Sequence, residues 1–301
     1  MLSTIRIGYF GSHLKGDCGR GGVFKLSVMT IALALAAAVP QGIAEVEHRP
    51  LTIVAAPPVT DSGLIDVLLA HFTARTGIAA RVLPRPVLPL TLTAAERDEV
   101  DVVIVNEAAA AHHFVESGHG VKRRPFMRDE FAIVGPADDP AGVRGGSDAA
   151  AALRSIARLR QPFLSRGEEA GAEAVEQRLW AAAHVNPKAR SGNRYVESGL
   201  DMRATLELAV RRGSYALADC ATWFALADRG ALTILVEGDP RLSSLYEAIL
   251  IDPSRHLGVD PARHPGAAFI DFLVSPEGRA AIAGFAIGPE HPFTPVAAPS
   301  P

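Results

Sequence analysis

Cysteine is nearly absent: Cys18 and Cys220 are the two in 301 residues, so no disulfide framework organises the chain. Aromatic residues are sparse at 6%, and there is no excess of basic charge, the formal net charge being −3. That excludes the electrostatic footprint of nucleic-acid or anionic-lipid binding. Catalytic signatures are missing as well. There is no H-E-x-x-H, G-x-S-x-G, P-loop or paired-cysteine metal pattern, and Gly145-Gly146 lacks the flanking strand and spacing of a nucleotide loop. The chain is therefore expected to be no enzyme and to need neither cofactor nor metal. His112 and His113 are adjacent on a helix and point about 100° apart, a poor chelate; with His119 and His71 they read as surface residues. What is abundant is hydrophobic content, 48%. In a chain of this length it favours two lobes over one.

The N-terminus reads as an export signal. Lys25 leads into an apolar stretch over Val28–Val39, followed by Gly42, Ala44 and Glu45. Residues 1–44 fit a secretory signal cleaved after Ala44, and the apolar run is shorter than the roughly 20 residues of a spanning helix. Met1–Gly22 has no signal character, which suggests a true start at Val23. Removing residues 1–44 takes away Arg6, Lys15, Arg20 and Lys25 against Asp17, and leaves Cys220 as a lone thiol. No cysteine sits at the cleavage point to carry a lipid. The expected location is the periplasm.

Downstream, apolar strands alternate with amphipathic helices, the mark of a parallel α/β sheet. LTIVAA is a strand, and SGLIDVLLAHFTARTG a helix with Asp61 or Ser62 as N-cap and Gly77 as its stop. IAARVLP and DVVIVN are further strands, the latter continuous enough to be buried on both faces. Two extended segments, Glu130–Val134 and Tyr246–Ile251, separate the middle of the chain from its ends. The expected architecture is α/β with two lobes hinged by those segments and a ligand cleft between them. Lobe I takes residues 45–129 and 247–290, lobe II residues 130–246. The Pro-rich residues 291–301 are expected to be a flexible tail.

Several stretches, in order from about Leu51 to Phe285, resemble the tungstate-binding periplasmic proteins of ABC importers. The most specific is ESGHGVKRRPFMRDEFAIVGPADDPAGVRGG; others are PFLSRGEEAG, TLELAVRRGSYALAD and FIDFLVSPEGRAAIAGF. The resemblance implies a periplasmic-binding-protein fold, type II-like. It also implies a monomer that captures a small oxyanion, tungstate- or molybdate-like, and hands it to an ABC permease in the inner membrane. In that family hydroxyls, backbone N–H groups and an arginine hold the anion, an uncharged cage with one fixed positive group.

This sequence departs from the pattern at the cage. Ala55-Ala56-Pro57-Pro58-Val59 stands where the family has Thr-Thr-Thr-Ser-Thr, and Val87-Leu88-Pro89 where it has Gly-Thr-Gly. Ser165-Arg166-Gly167 survives, but Ala170 and Ala172 replace the Ser and Thr that follow, and Asp219-Cys220-Ala221-Thr222 replaces Asp-Arg-Gly-Thr. Each lost hydrogen bond to a charged ligand removes about 1.5–3 kcal/mol. Two readings stay open: a changed, less charged and more apolar ligand, or weakened oxyanion binding. A sensor of the same fold without a transport role is the functional alternative.

The candidate ligand residues are Arg166, Ser165, Ser62, Thr60, Gly167, Thr222 and Asp219. Each has a plainer reading. Arg166 can pair with Glu168 or Glu169. Thr60, Asp61, Ser62, Ser165, Asp219 and Glu197 can cap helices. Trp223 can be core, and Cys220 an inert buried thiol.

Overall fold

The computed structural model describes residues 50–84, 100–167, 171–190, 194–252 and 264–297. The export signal, the Val23 start, Val87-Leu88-Pro89 and Glu168–Ala170 lie outside those residues.

Lobe I begins with strand β1 (Leu51–Ala55), all five residues buried. A short helix α1 (Pro57–Asp61) follows, then helix α2 (Leu64–Thr76). The helix was expected to start at Asp61 or Ser62. Instead Gly63, at φ 84°, breaks it and is itself the N-cap residue of α2. The physical reason is proline: Pro57 and Pro58 fit a first helical turn, where the missing N–H groups cost nothing. Gly77 ends α2 in the left-handed conformation, as its position suggested. Strands β2 (Ala80–Val82) and β3 (Val102–Val105) flank β1 in parallel, and helix α3 (Ala108–Glu116) follows β3.

The long strand β4 (Gly120–Pro136) builds both lobes. Its Gly120–Glu130 part pairs antiparallel with β9 (Ser243–Ile251) in the first sheet, and β9 in turn pairs with β3. Its Phe131–Pro136 part joins the second sheet, pairing with β7 (Tyr215–Asp219) and β8 (Leu232–Val236). There β5 (Phe163–Ser165) and β6 (Tyr195–Glu197) continue the sheet in parallel beyond β7. The chain thus crosses between sheets twice, at Glu130–Phe131 and at Leu242–Ser243, and the Phe131 N–H donates to the Leu242 carbonyl at 2.7 Å across the two crossings. The return crossing falls a few residues ahead of Tyr246, where the apolar run had suggested it. Around the second sheet lie α4 (Ala149–Arg158), α5 (Gly171–Ala182), α6 (Pro187–Arg190), α7 (Met202–Arg212) and α8 (Cys220–Ala225). Helices α9 (Pro265–Val274) and α10 (Pro276–Gly284) return to the first.

The Pro-rich tail is a correction. Phe293–Pro295 forms β10, antiparallel to β4, and the Phe293 side chain is buried beside Phe285. An aromatic with an apolar slot available outweighs the prolines around it.

Each lobe has its own core. In lobe I the fully buried Phe72 meets Phe269 edge-on at 5.2 Å and Phe272 at 5.8 Å. In lobe II Phe163, Trp180 and Tyr195 stack and abut. Phe72→Ala is expected to lose about 3–5 kcal/mol, since a buried aromatic leaves a cavity that its neighbours only partly fill. A lower urea midpoint at unchanged slope checks it.

Candidate functional site

The ends of β1, β3, β5 and β7 converge between the lobes. Parallel strands end in loops and helix starts there, the usual place for a ligand in such sheets. From lobe I come α1 and Asn106; from lobe II come Ser165–Gly167, the start of α5 and Asp219 with α8.

The hydroxyls and N–H groups singled out in the sequence are engaged within the chain. Thr60 Oγ1 donates to the Pro57 carbonyl at 3.0 Å. Ser62 Oγ lies between the Val59 carbonyl and the Leu64 N–H. In the same loop the Ala56 N–H donates to the Ile104 carbonyl and the Val59 N–H to the Ala56 carbonyl. Ser165 is buried: its hydroxyl donates to Glu176 at 2.9 Å and accepts the Gly167 N–H at 3.1 Å. Glu176 also accepts from Trp180 and Tyr195, so a buried carboxylate, its pKa raised by burial, has drawn in the hydroxyl. Gly167 sits at φ 89°, a conformation side chains rarely adopt. Asp219 N-caps α8 through the Thr222 N–H at 2.7 Å.

Arg166 remains the cationic group of this mouth. It is half-buried, and its Nε donates to the Leu200 carbonyl at 3.3 Å. Burial lowers its pKa, opposed by the carboxylates of Asp219, Asp201 and Asp61. Asp61 belongs to lobe I and the other two to lobe II, so the guanidinium lies in the field of acids from both lobes. Lys188, not the helix start, pairs with Glu197, at 2.7 Å.

Sequence reasoning missed the residues nearest the crossings. Asp129 is fully buried, and neither of its carboxylate oxygens has a hydrogen-bond partner; one oxygen of Asp219 also lacks one. The Tyr246 hydroxyl and Glu130 N–H lie near Asp129 without hydrogen-bond geometry. Burial first, then the charges of Asp219 and Glu130, push the Asp129 pKa well up. Cys220 is driven up too, by burial and then Asp129 and Asp219, so its thiol is inert at neutral pH. Asn106 donates to the Tyr246 hydroxyl at 3.3 Å, and its carbonyl accepts from Ser244. Its side chain presses on Gly171 of lobe II so closely that a Cβ there would come within 2.4 Å. Helices α1 and α8 touch as well, and Ala221 packs into the lobe I core. The lobes are closed on each other at the mouth. Beside Asn106 a half-open chamber of about 470 Å³ remains, lined by both lobes and the crossing strands. Among the described residues no group of three or more His, Cys, Asp or Glu could hold a metal ion, and no helix is long and apolar enough to cross a membrane.

Residues 53–277 match the PBP superfamily domain. The chain is 33% identical over 253 residues to a putative ABC transporter anion-binding protein of Haloferax volcanii, covering 82% of this chain and 72% of that one. It is 31% identical to the tungstate-binding protein TupA of Peptoclostridium acidaminophilum, covering 85% of this chain and 90% of the relative. Among solved structures, the tungstate-binding TupA of Desulfovibrio alaskensis is 33% identical with a TM-score of 0.74, over 83% of this chain and all of that one.

Two outcomes follow. An acid whose folded pKa is raised weakens the fold as pH climbs from its unfolded value, near 3.9, through the folded one. Asp129→Asn should therefore gain stability over the wild type at pH 7–8 and little at pH 4, read from melting temperatures across pH. Gly171→Ala should wedge the lobes apart at Asn106, seen as a larger radius of gyration in small-angle scattering with the melting of each lobe's core retained.

Proposed function

Since this chain belongs to the PBP superfamily, in the family of the tungstate-binding receptors, we propose that it is the substrate-binding protein of an ABC importer, acting in the periplasm as a monomer and taking a small anion between its lobes. The observation that carries this reading is the pair of crossings at Glu130–Phe131 and Leu242–Ser243, which leaves two sheets free to close on a guest. Closure follows from the ligand's greater affinity for the closed form, and that form is the one a permease would recognise. Relatives named as transporter binding proteins do not favour the sensor reading, nor do they suggest a catalytic step.

For tetrahedral oxyanions the mouth is depleted. Arg166 is the positive group left, with Thr60, Ser62, Ser165, Gly167, Thr222 and Asp219 around it. The hydroxyls of Thr60, Ser62 and Ser165 are engaged locally, and the charges of Asp219, Asp201 and Asp61 already act on the guanidinium. A dianion would have to displace or neutralise those acids, so tungstate should bind weakly.

Calorimetry and thermal shift against tungstate, molybdate, sulfate and small organic acids test the reading. A ligand at a hundred times its Kd stabilises by about 2.7 kcal/mol, or roughly 5–10 °C in Tm for a protein of this size. A shift of that kind is expected from an anion, with micromolar tungstate giving far less and Arg166→Ala reducing the tungstate response further. Stabilisation by neutral or cationic solutes, and by no anion, would remove the assignment.

A further inference from the structure

We infer that the anion carried by this receptor is an organic one, a carboxylate or phosphoryl head on a small apolar body, and that it sits in the chamber beside Asn106 rather than at the Arg166 mouth; the inference rests on the receptor reading above. The chamber's volume of about 470 Å³ falls within the roughly 300–1,000 Å³ of small-molecule pockets. Four oxygens around one metal centre would leave most of it empty.

Its charge is unlike that of the mouth. Arg128, Arg178 and Arg241 line it, against one acid, Glu107. Arg241 is already held by Asp239 and Asp148. Arg178 places one guanidinium nitrogen on the carbonyls of Arg241 and Ser243. Among the described residues neither Arg178 nor Arg128 forms a carboxylate ion pair, although the Arg128 charge partly opposes the rise that burial imposes on the Glu130 pKa. Two arginines are thus open to a ligand in one pocket, whereas Arg166, equally without an ion pair among those residues, stands in the field of three acids. Arginine's forked donors suit a carboxylate or phosphoryl group held by two parallel bonds.

A further set of donors faces the same space. Ser243 lines it too, with its hydroxyl buried beside Glu130 and closed off from that space. Helix α3, nine residues long, opens there at Ala108 and Ala109 with no side chain capping its first turn. Its first N–H groups lack helical acceptors and carry the positive end of the dipole. Opposite these donors lie Ala174, Val175 and Leu245, which give a hydrocarbon body a surface to cover. Residues of both lobes and of the crossing strands contribute, so an occupant stabilises the closed form directly.

Calorimetry with benzoate and phenyl phosphate as organic probes, and sulfate and tungstate as bare tetrahedral anions, tests this. An organic probe should bind the wild type more tightly than either tetrahedral anion. Its Kd should rise about tenfold or more in Arg128→Gln and in Arg178→Gln, as loss of a charged hydrogen bond requires. Ala174→Phe should abolish binding by filling the chamber, and Arg166→Ala should leave it within about twofold. Unliganded melting temperatures establish that each variant is folded. Binding of an organic probe that falls with Arg166→Ala but survives Arg178→Gln and Ala174→Phe would overturn the chamber and leave the receptor standing. A wild type that responds to none of the four anions would overturn both.

Discussion

The antiparallel pairing of β4 with β9 is the constraint on which the rest depends. It runs from Gly120 opposite Ile251 to Glu130 opposite Ser243, and hands over to lobe II through the Phe131–Leu242 hydrogen bond. Because one strand serves both sheets, each lobe inherits its orientation from the same backbone. Arg123 and Glu247 reinforce the pairing with a two-pronged ion pair, 2.8 and 2.7 Å, in which the carboxylate is nearly buried. Breaking one partner of such a pair strands a charge away from water. Motion between lobes is therefore confined to the few bonds just past this ladder.

Electrostatics divides the cleft into two regions. In one, the carboxylates of Asp61, Asp201 and Asp219 act on a single guanidinium, and Asp129 feels the charges of Asp219 and Glu130. In the other, arginine side chains outnumber acids. Hydroxyls at the mouth are turned inward, as Ser165 is toward Glu176. A binding protein can keep its fold through such a change because its strands are set by apolar burial, not by the loops at their ends.

Much of the architecture could be read from residue patterns. The alternation of strands and helices, the Gly77 stop and the cap at Asp219 all depend on local chemistry that a sequence displays. Lys122-Arg123-Arg124 looks like a solvated loop and is a strand because Lys122 finds Asp271 and Arg123 finds Glu247, over a hundred residues away. Of the candidate site, the position of Arg166 at a strand end was suggested by its Ser-Arg-Gly turn. Asn106, Asp129 and Gly171 were not, since their significance lies in what the other lobe or the neighbouring strand places against them.

The helical turn at Pro57 and Pro58 makes a donor-lined loop hard to build at this position. Threonine at position 57 would supply one hydroxyl and one amide, yet the amides of Ala56 and Val59 would stay tied to Ile104 and Ala56. Building a donor-lined loop needs the turn to unwind, so no first step along that route brings a benefit by itself. Like a ratchet, the backbone holds the lineage to whatever cargo its lobes now enclose.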